Sequence, residues 1–133
     1  QRLWLIDQLE PGSPLYNMPV AVRLDGTLHA DVLERALQEV LRRHDALRTT
    51  FAQVDGEPVQ VIHPEVVLPL GHVDLSGVDA AQREGEARAQ VAQEMRRPFD
   101  LRRGPLVRAV LFKLTEREHI LVVNMHHIVS DGW

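Results

Sequence analysis

Two adjacent histidines, followed four residues after the second by an aspartate and then a glycine, stand in His126-His127-Ile128-Val129-Ser130-Asp131-Gly132-Trp133. Imidazole gives and takes protons near neutral pH, so a histidine facing a cleft is a candidate general acid–base. Two neighbours cannot share that task in a strand, because consecutive strand residues point to opposite faces. The apolar run Ile120-Leu121-Val122-Val123 predicts such a strand. If it holds through the pair, His127 lies with Val123 and Met125, and His126 lies with Val122 and Asn124. The reading therefore gives acid–base work to His127 and a place in the packing to His126. Asp131 carries a charge that is costly to bury unpaired, and is expected to pair with Arg43 or Arg48. Gly132 permits backbone conformations barred to other residues.

Other chemistries fit less well. Seven histidines (29, 44, 63, 72, 119, 126 and 127) invite a metal site, but adjacent strand histidines diverge. No HExxH or helical i, i+4 histidine pair occurs, so no metal is expected. There is no glycine-rich phosphate loop and no GxSxG elbow. Ser130 reads as a hydrogen-bonded turn residue rather than a nucleophile. For a lone histidine, a satisfied core residue is the favoured reading. Here the second histidine, the spaced aspartate and glycine, and the separate Arg43-His44-Asp45-Ala46-Leu47-Arg48 segment favour catalysis.

The elements that must position these residues can be read in order. Residues 1–9 carry apolar side chains at 3, 5, 6 and 9, a short amphipathic helix tail closed by Glu10-Pro11-Gly12. Residues 13–17 have turn chemistry. Met18, Val20, Val22 and Leu24 alternate as a strand ending at Asp25-Gly26. The clearest helix spans about 29–44, with Leu33, Ala36, Leu37, Val40 and Leu41 as its stripe and Asp31/Arg35 and Glu39/Arg43 as solvated pairs. A hairpin joins 49–54 to 59–63 through Val54-Asp55-Gly56-Glu57-Pro58. Residues 64–75 are extended and proline-broken, a short or edge strand with Val66, Leu68 and Leu70 alternating. A second helix, about 80–96, has a modest apolar face of Ala87, Val91 and Met95 and should pack on the outside. The loop 98–105 offers Phe99 and Leu101 as plugs. Strands follow over 106–114 and 119–125, joined by a turn at 115–118. This order predicts an α/β layered domain with a mixed or largely antiparallel sheet.

Composition sets bounds on that reading. With 133 residues, 44% hydrophobic and 26% charged, the chain can build one core. A net charge of -4 of mixed sign recommends no nucleic-acid surface, and no apolar stretch is long enough to span a bilayer. Cysteine is absent, which excludes disulfides and thiolate chemistry and is compatible with a reducing cytoplasm. Starting in mid-pattern and ending without a stop signal, the sequence reads as a fragment.

HHIVSDGW and RHDALRTTF together closely resemble two core motifs of condensation domains from nonribosomal peptide synthetases. QRLWLIDQLEPGSPLYNMP resembles that family's first motif with its start missing, and PFDLRRGPLVRAVLF its approach to the histidine strand. The matches occur in family order and cover most of the chain. HHxxxDG alone is shared with chloramphenicol acetyltransferase, wax-ester-type acyltransferases and epimerization domains; RHDALRTTF and Trp133 favour condensation.

The resemblance implies two chloramphenicol acetyltransferase-like lobes, with residues 1–133 a partial domain forming most of the first. It implies a cytoplasmic acyltransferase of secondary-metabolite and antibiotic biosynthesis, joining donor and acceptor aminoacyl thioesters. Both substrates would ride on phosphopantetheine arms of carrier domains beside an adenylation domain, with no cofactor bound by this domain itself. It maps the catalytic histidine to His127, the structural histidine to His126, and the supporting motif residues to Asp131, Gly132, Arg43 and Arg48. The alternatives are an epimerization domain, a free-standing acyl-coenzyme A acyltransferase, and a non-catalytic homologue that recruits partners. Without a second lobe to close the cleft, the isolated polypeptide is expected to be inactive.

Overall fold

A computed structural model describes residues 17–68 and 70–130. They form β1 (Asn17–Asp25), α1 (Ala30–Arg43), a 3-10 turn (Asp45–Arg48), β2 (Thr49–Val54), β3 (Glu57–Ile62), β4 (Leu70–Asp74), α2 (Ala80–Arg96), β5 (Val107–Thr115), β6 (Glu118–His126) and one helical turn, α3 (His127–Ser130). The helix tail expected over residues 1–9 and its closing turn lie outside the described residues. Asn17, expected in a turn, opens β1.

Four strands form one sheet in the order β1-β6-β5-β4, and β2 and β3 form a separate hairpin. β6 pairs antiparallel with both β1 and β5, while β4 runs parallel to β5. The sheet is thus mixed and largely antiparallel, as the sequence predicts. Parallel neighbours need a crossover connection, and α2 lies in the one between β4 and β5.

Register assigns each strand residue to a face. Val123, Ala109 and Leu70 line up across β6, β5 and β4. This face packs against Leu41, Leu47, Phe51, Phe99 and Leu101 in the larger core. On the opposite face, Val122 and Phe112 pack with Ala87, Val91 and Met95 of α2. Phe99 and Leu101 are the expected plugs, both buried.

The stripe predicted for α1 is too wide. Leu41 is buried and Leu33 and Leu37 are half-buried, but Ala36 and Val40 are exposed. The helix meets the core along a single i, i+4 row, and the flanking positions miss it. The two solvated pairs form as expected, at 3.6 Å for Arg35–Asp31 and 3.0 Å for Arg43–Glu39. The hairpin is also tighter than expected: Asp55 and Gly56 have φ of 52° and 81°. Positive φ at both central positions gives a two-residue primed turn, so β3 begins at Glu57 rather than Val59.

The extended segment divides into an irregular stretch over 64–68 and the outer strand β4. Gln38 fastens the first part to α1: its Nε2 donates to Val66 O at 2.6 Å and its Oε1 accepts from Leu68 N at 2.8 Å.

Candidate active site

β6 carries the histidine pair out of the core. His126, Val122 and Asn124 share one face and are all buried, at 1%, 1% and 0% exposure, as strand parity predicts. The strand stops there, and the backbone turns helical at His127. His126 itself supplies the reason. Its Nδ1 accepts the Ile128 N–H at 3.0 Å, a side-chain acceptor on the second residue of a helical turn, which is how an N-cap works. Ile128 is buried in the larger core, so the turn is fixed from both sides. His127, half-buried, takes its direction from this turn and not from strand parity.

An Nδ1 that accepts a hydrogen bond must be unprotonated, which leaves the proton of a neutral ring on Nε2. The electrostatics agree. Burial, and secondarily the neighbouring His127, push the His126 pKa from 6.5 down to about 4. His126 is therefore a neutral packing and capping residue across the physiological range.

The arginine segment lies beside the pair. The 3-10 turn Asp45–Arg48 packs against α3, and Leu47 joins Ile128 in the core. Arg48 is mostly buried, with acceptors in reach of all five guanidinium hydrogens. Nε donates to Leu41 O at 3.2 Å, Nη2 to Arg42 O at 3.4 Å and to the Asp45 carboxylate, and Nη1 to the carbonyls of His63 and Pro64. Leu41 and Arg42 lie in the last turn of α1, so Arg48 caps that helix while tying it to the end of β3. Arg43 instead faces solvent and pairs with Glu39. Its side of α1 is basic enough that hydrogen bonds from Arg42, then Arg43, hold the Glu39 carboxyl at about 2. The pairing expected between Asp131 and Arg43 or Arg48, and the role expected of Gly132, lie outside the described residues.

A second constellation was not anticipated from the sequence. Arg108 on β5 makes an ion pair with Glu94 of α2, Nε to Oε1 3.2 Å, with both side chains 13% exposed. Its Nη1 donates to Pro98 O at 2.9 Å and its Nη2 to Arg97 O at 2.6 Å. Its guanidinium carbon lies 4.0 Å from the centre of the Phe99 ring, and Phe99 and His126 form a T-shaped pair, with centroids 6.3 Å apart and planes at 82°. Burial lowers the Arg108 pKa, partly opposed by Glu94. Asn124 Nδ2 donates to Met95 O at 3.0 Å, and Asn17 Nδ2 to Arg97 O at 2.8 Å. One signal was available: Arg108 and Asn124 sit in largely apolar strands, and polar groups buried there must be paired. Their partners, however, are 10 to 30 residues away.

Among the described residues, no group of three or more His, Asp or Glu side chains is arranged to hold a metal ion. No helix of these residues is long and apolar enough to cross a membrane.

Comparison with known proteins matches the Condensation domain family model to residues 1–133. The chain is 50% identical over its full length to a linear gramicidin synthase polypeptide of Brevibacillus parabrevis, spanning 3% of that protein. It is 47% identical over its full length to chondramide synthase of Chondromyces crocatus, again spanning 3%. Among solved structures, the starter condensation domain of rhizomide synthetase matches 96% of this chain with a TM-score of 0.84 and 29% identity, the match covering 30% of that structure. The first condensation domain of the calcium-dependent antibiotic synthetase, in complex with a substrate analogue, matches 95% with a TM-score of 0.81 and 30% identity, covering 30% of that structure.

Proposed function

The chain belongs to the condensation-domain family, and from that premise we propose that it carries the histidine wall of a site for peptide-bond formation in nonribosomal peptide synthesis. The α-amino group of an acceptor aminoacyl thioester attacks the carbonyl of a donor thioester. The new C–N bond forms, the C–S bond breaks, and the proton lost from nitrogen leaves with the thiol. Both substrates arrive on phosphopantetheine arms of donor and acceptor carrier domains, beside an adenylation domain.

His127 is the catalytic residue in this reading. An α-amino group has a reference pKa of about 7.7–8.0, so a useful fraction is already neutral near pH 7–8. The work of His127 is to orient that amine and hold its proton as the tetrahedral intermediate forms. His126 keeps the turn in place, and Asp131 braces it by pairing with Arg43 or Arg48. The observation that carries the proposal is the division within the pair. One ring is buried, neutral and committed to a backbone N–H, while the other is half-buried at the start of the turn.

The test is His127→Ala in an intact condensation domain carrying this sequence, with preloaded carriers and quantified product. General acid–base catalysis is worth about 10²–10⁴-fold, and a loss in that range is expected. Near-normal turnover would refute the assignment.

A further inference from the structure

The last turn of α2 and the start of the segment that follows it are held against the histidine strand end by three side chains from three adjacent strands. Asn17 lies opposite His126 in the β1–β6 register, and Asn124 lies opposite Arg108 in the β5–β6 register. The amides of Asn17 and Asn124 and the guanidinium of Arg108 converge on the carbonyls of residues 94–98. Of the three, Arg108 is also linked to the imidazole, because Phe99 contacts both: its face takes the cation, and its ring stands at 82° to that of His126. Both contacts suit aromatic rings, whose negative faces attract a cation and favour perpendicular ring pairs.

A largely buried ion pair is a poor way to gain stability, since removing two charges from water costs about as much as their attraction returns. Glu94 and Arg108 are such a pair. Arg108 nevertheless spends its other donors on two specific carbonyls, which fixes its plane over Phe99 in a way an ammonium group would not. This geometry sets where the Phe99 ring sits, and His126 packs perpendicular to that ring while capping the turn that begins with His127.

We infer that Arg108 is a positioning residue for the histidine pair, acting through Phe99 and His126 on the orientation of His127. This rests on His127 being the working histidine, as proposed above. The variants are Arg108→Met, which keeps a long side chain without the fork, and Phe99→Leu, which keeps an apolar plug without the ring. In an intact condensation domain, each should lower kcat on the order of 10- to 100-fold, the scale on which small misplacements act, with KM for the acceptor thioester within about twofold. Because both act along one path, the double variant should be no worse than the poorer single. Within a His127→Ala background, Arg108→Met should cost nothing further.

A second readout does not depend on turnover. Nitrogen chemical shifts of the His126 ring, in protein labelled on histidine, should report one Nε2-protonated tautomer in the wild type and a mixture in Arg108→Met. If Arg108→Met does not fold, Phe99→Leu interrogates the same path by both readouts. Multiplicative losses in the double variant would overturn the inference, as would retained kcat with only a lowered melting temperature, or an unaltered His126 tautomer. If His127→Ala retains turnover, the acid–base assignment falls by itself, and the tautomer measurement still decides the positioning role.

Discussion

The buried imidazole of His126 should make the domain lose stability in mild acid, and the size of the loss follows from its surroundings. The ring is 1% exposed, its Nδ1 is occupied by the Ile128 N–H, and its pKa falls from 6.5 to about 4. Above pH 6.5 the ring is neutral in both folded and unfolded chains, so protonation does not affect folding. As pH falls below 6.5, the unfolded chain takes up a proton that the folded chain refuses, and stability drops by about 1.4 kcal/mol per pH unit. The contribution lost is about 3 kcal/mol by the time pH has passed through about 4.

Carboxylates also titrate at the lower end of this window, so the informative quantity is a difference. His126→Asn removes the titrating group and keeps an oxygen able to accept from Ile128, as asparagine does at N-caps. Denaturant unfolding of an intact domain and this variant from pH 8 to pH 4 should show the variant less stable at pH 8, because ring packing is lost. The gap should narrow by about 3 kcal/mol on acidification. Parallel stability curves over the whole range would refute the reasoning, since they would mean that the folded ring accepts its proton as readily as the unfolded one.

Two further perturbations test the supports of the site. Arg48→Ala leaves the carbonyls at the end of α1 and after β3 without their donor and should cost about 2–3 kcal/mol in thermal or chemical denaturation. Arg48→Lys should recover little, because one ammonium group cannot serve acceptors spread around a planar fork. Gly104 has φ of 59°, and a Cβ there would lie 2.6 Å from the Cγ2 of buried Thr50. Gly104→Ala should therefore lose about 1–3 kcal/mol by the same measurement, and adding Thr50→Ser, which deletes that methyl, should restore part of it.

The parts legible in the sequence are those governed by local periodicity. Strand parity places His126 with Val122 and Asn124, and the Asp55-Gly56 dipeptide marks the hairpin. α1 and α2 appear within a residue or so of their predicted ends. Where periodicity alone misleads, a neighbour decides. Ala36 and Val40 belong to the apolar stripe of α1 by spacing, yet only the Leu33, Leu37 and Leu41 row finds a partner layer. Met18, Val20 and Val22 alternate as a strand with a buried face would, yet all three are exposed on the outer strand β1. Least legible was Arg108. Its strand alternation is plain, but the carbonyls it grips are exposed by the end of α2, and a helix end becomes a binding surface only after the chain has folded back.

The same contrast explains why the two histidines differ. Parity distinguishes them only while the strand lasts, and the strand ends at His126. From there each helical residue turns by about 100° instead of 180°, so the direction of His127 is no longer fixed by which face Val123 occupies. Two anchors take over: the bond from Ile128 N–H to His126 Nδ1, and the burial of Ile128 beside Leu47. Both anchors lie in residues other than His127. It follows that the buried histidine cannot be treated as inert packing: a change at His126 removes the cap that aims its neighbour, even though it touches no substrate in the proposed reaction. The pair behaves as a unit in which one imidazole is held neutral so that the other can be held in place.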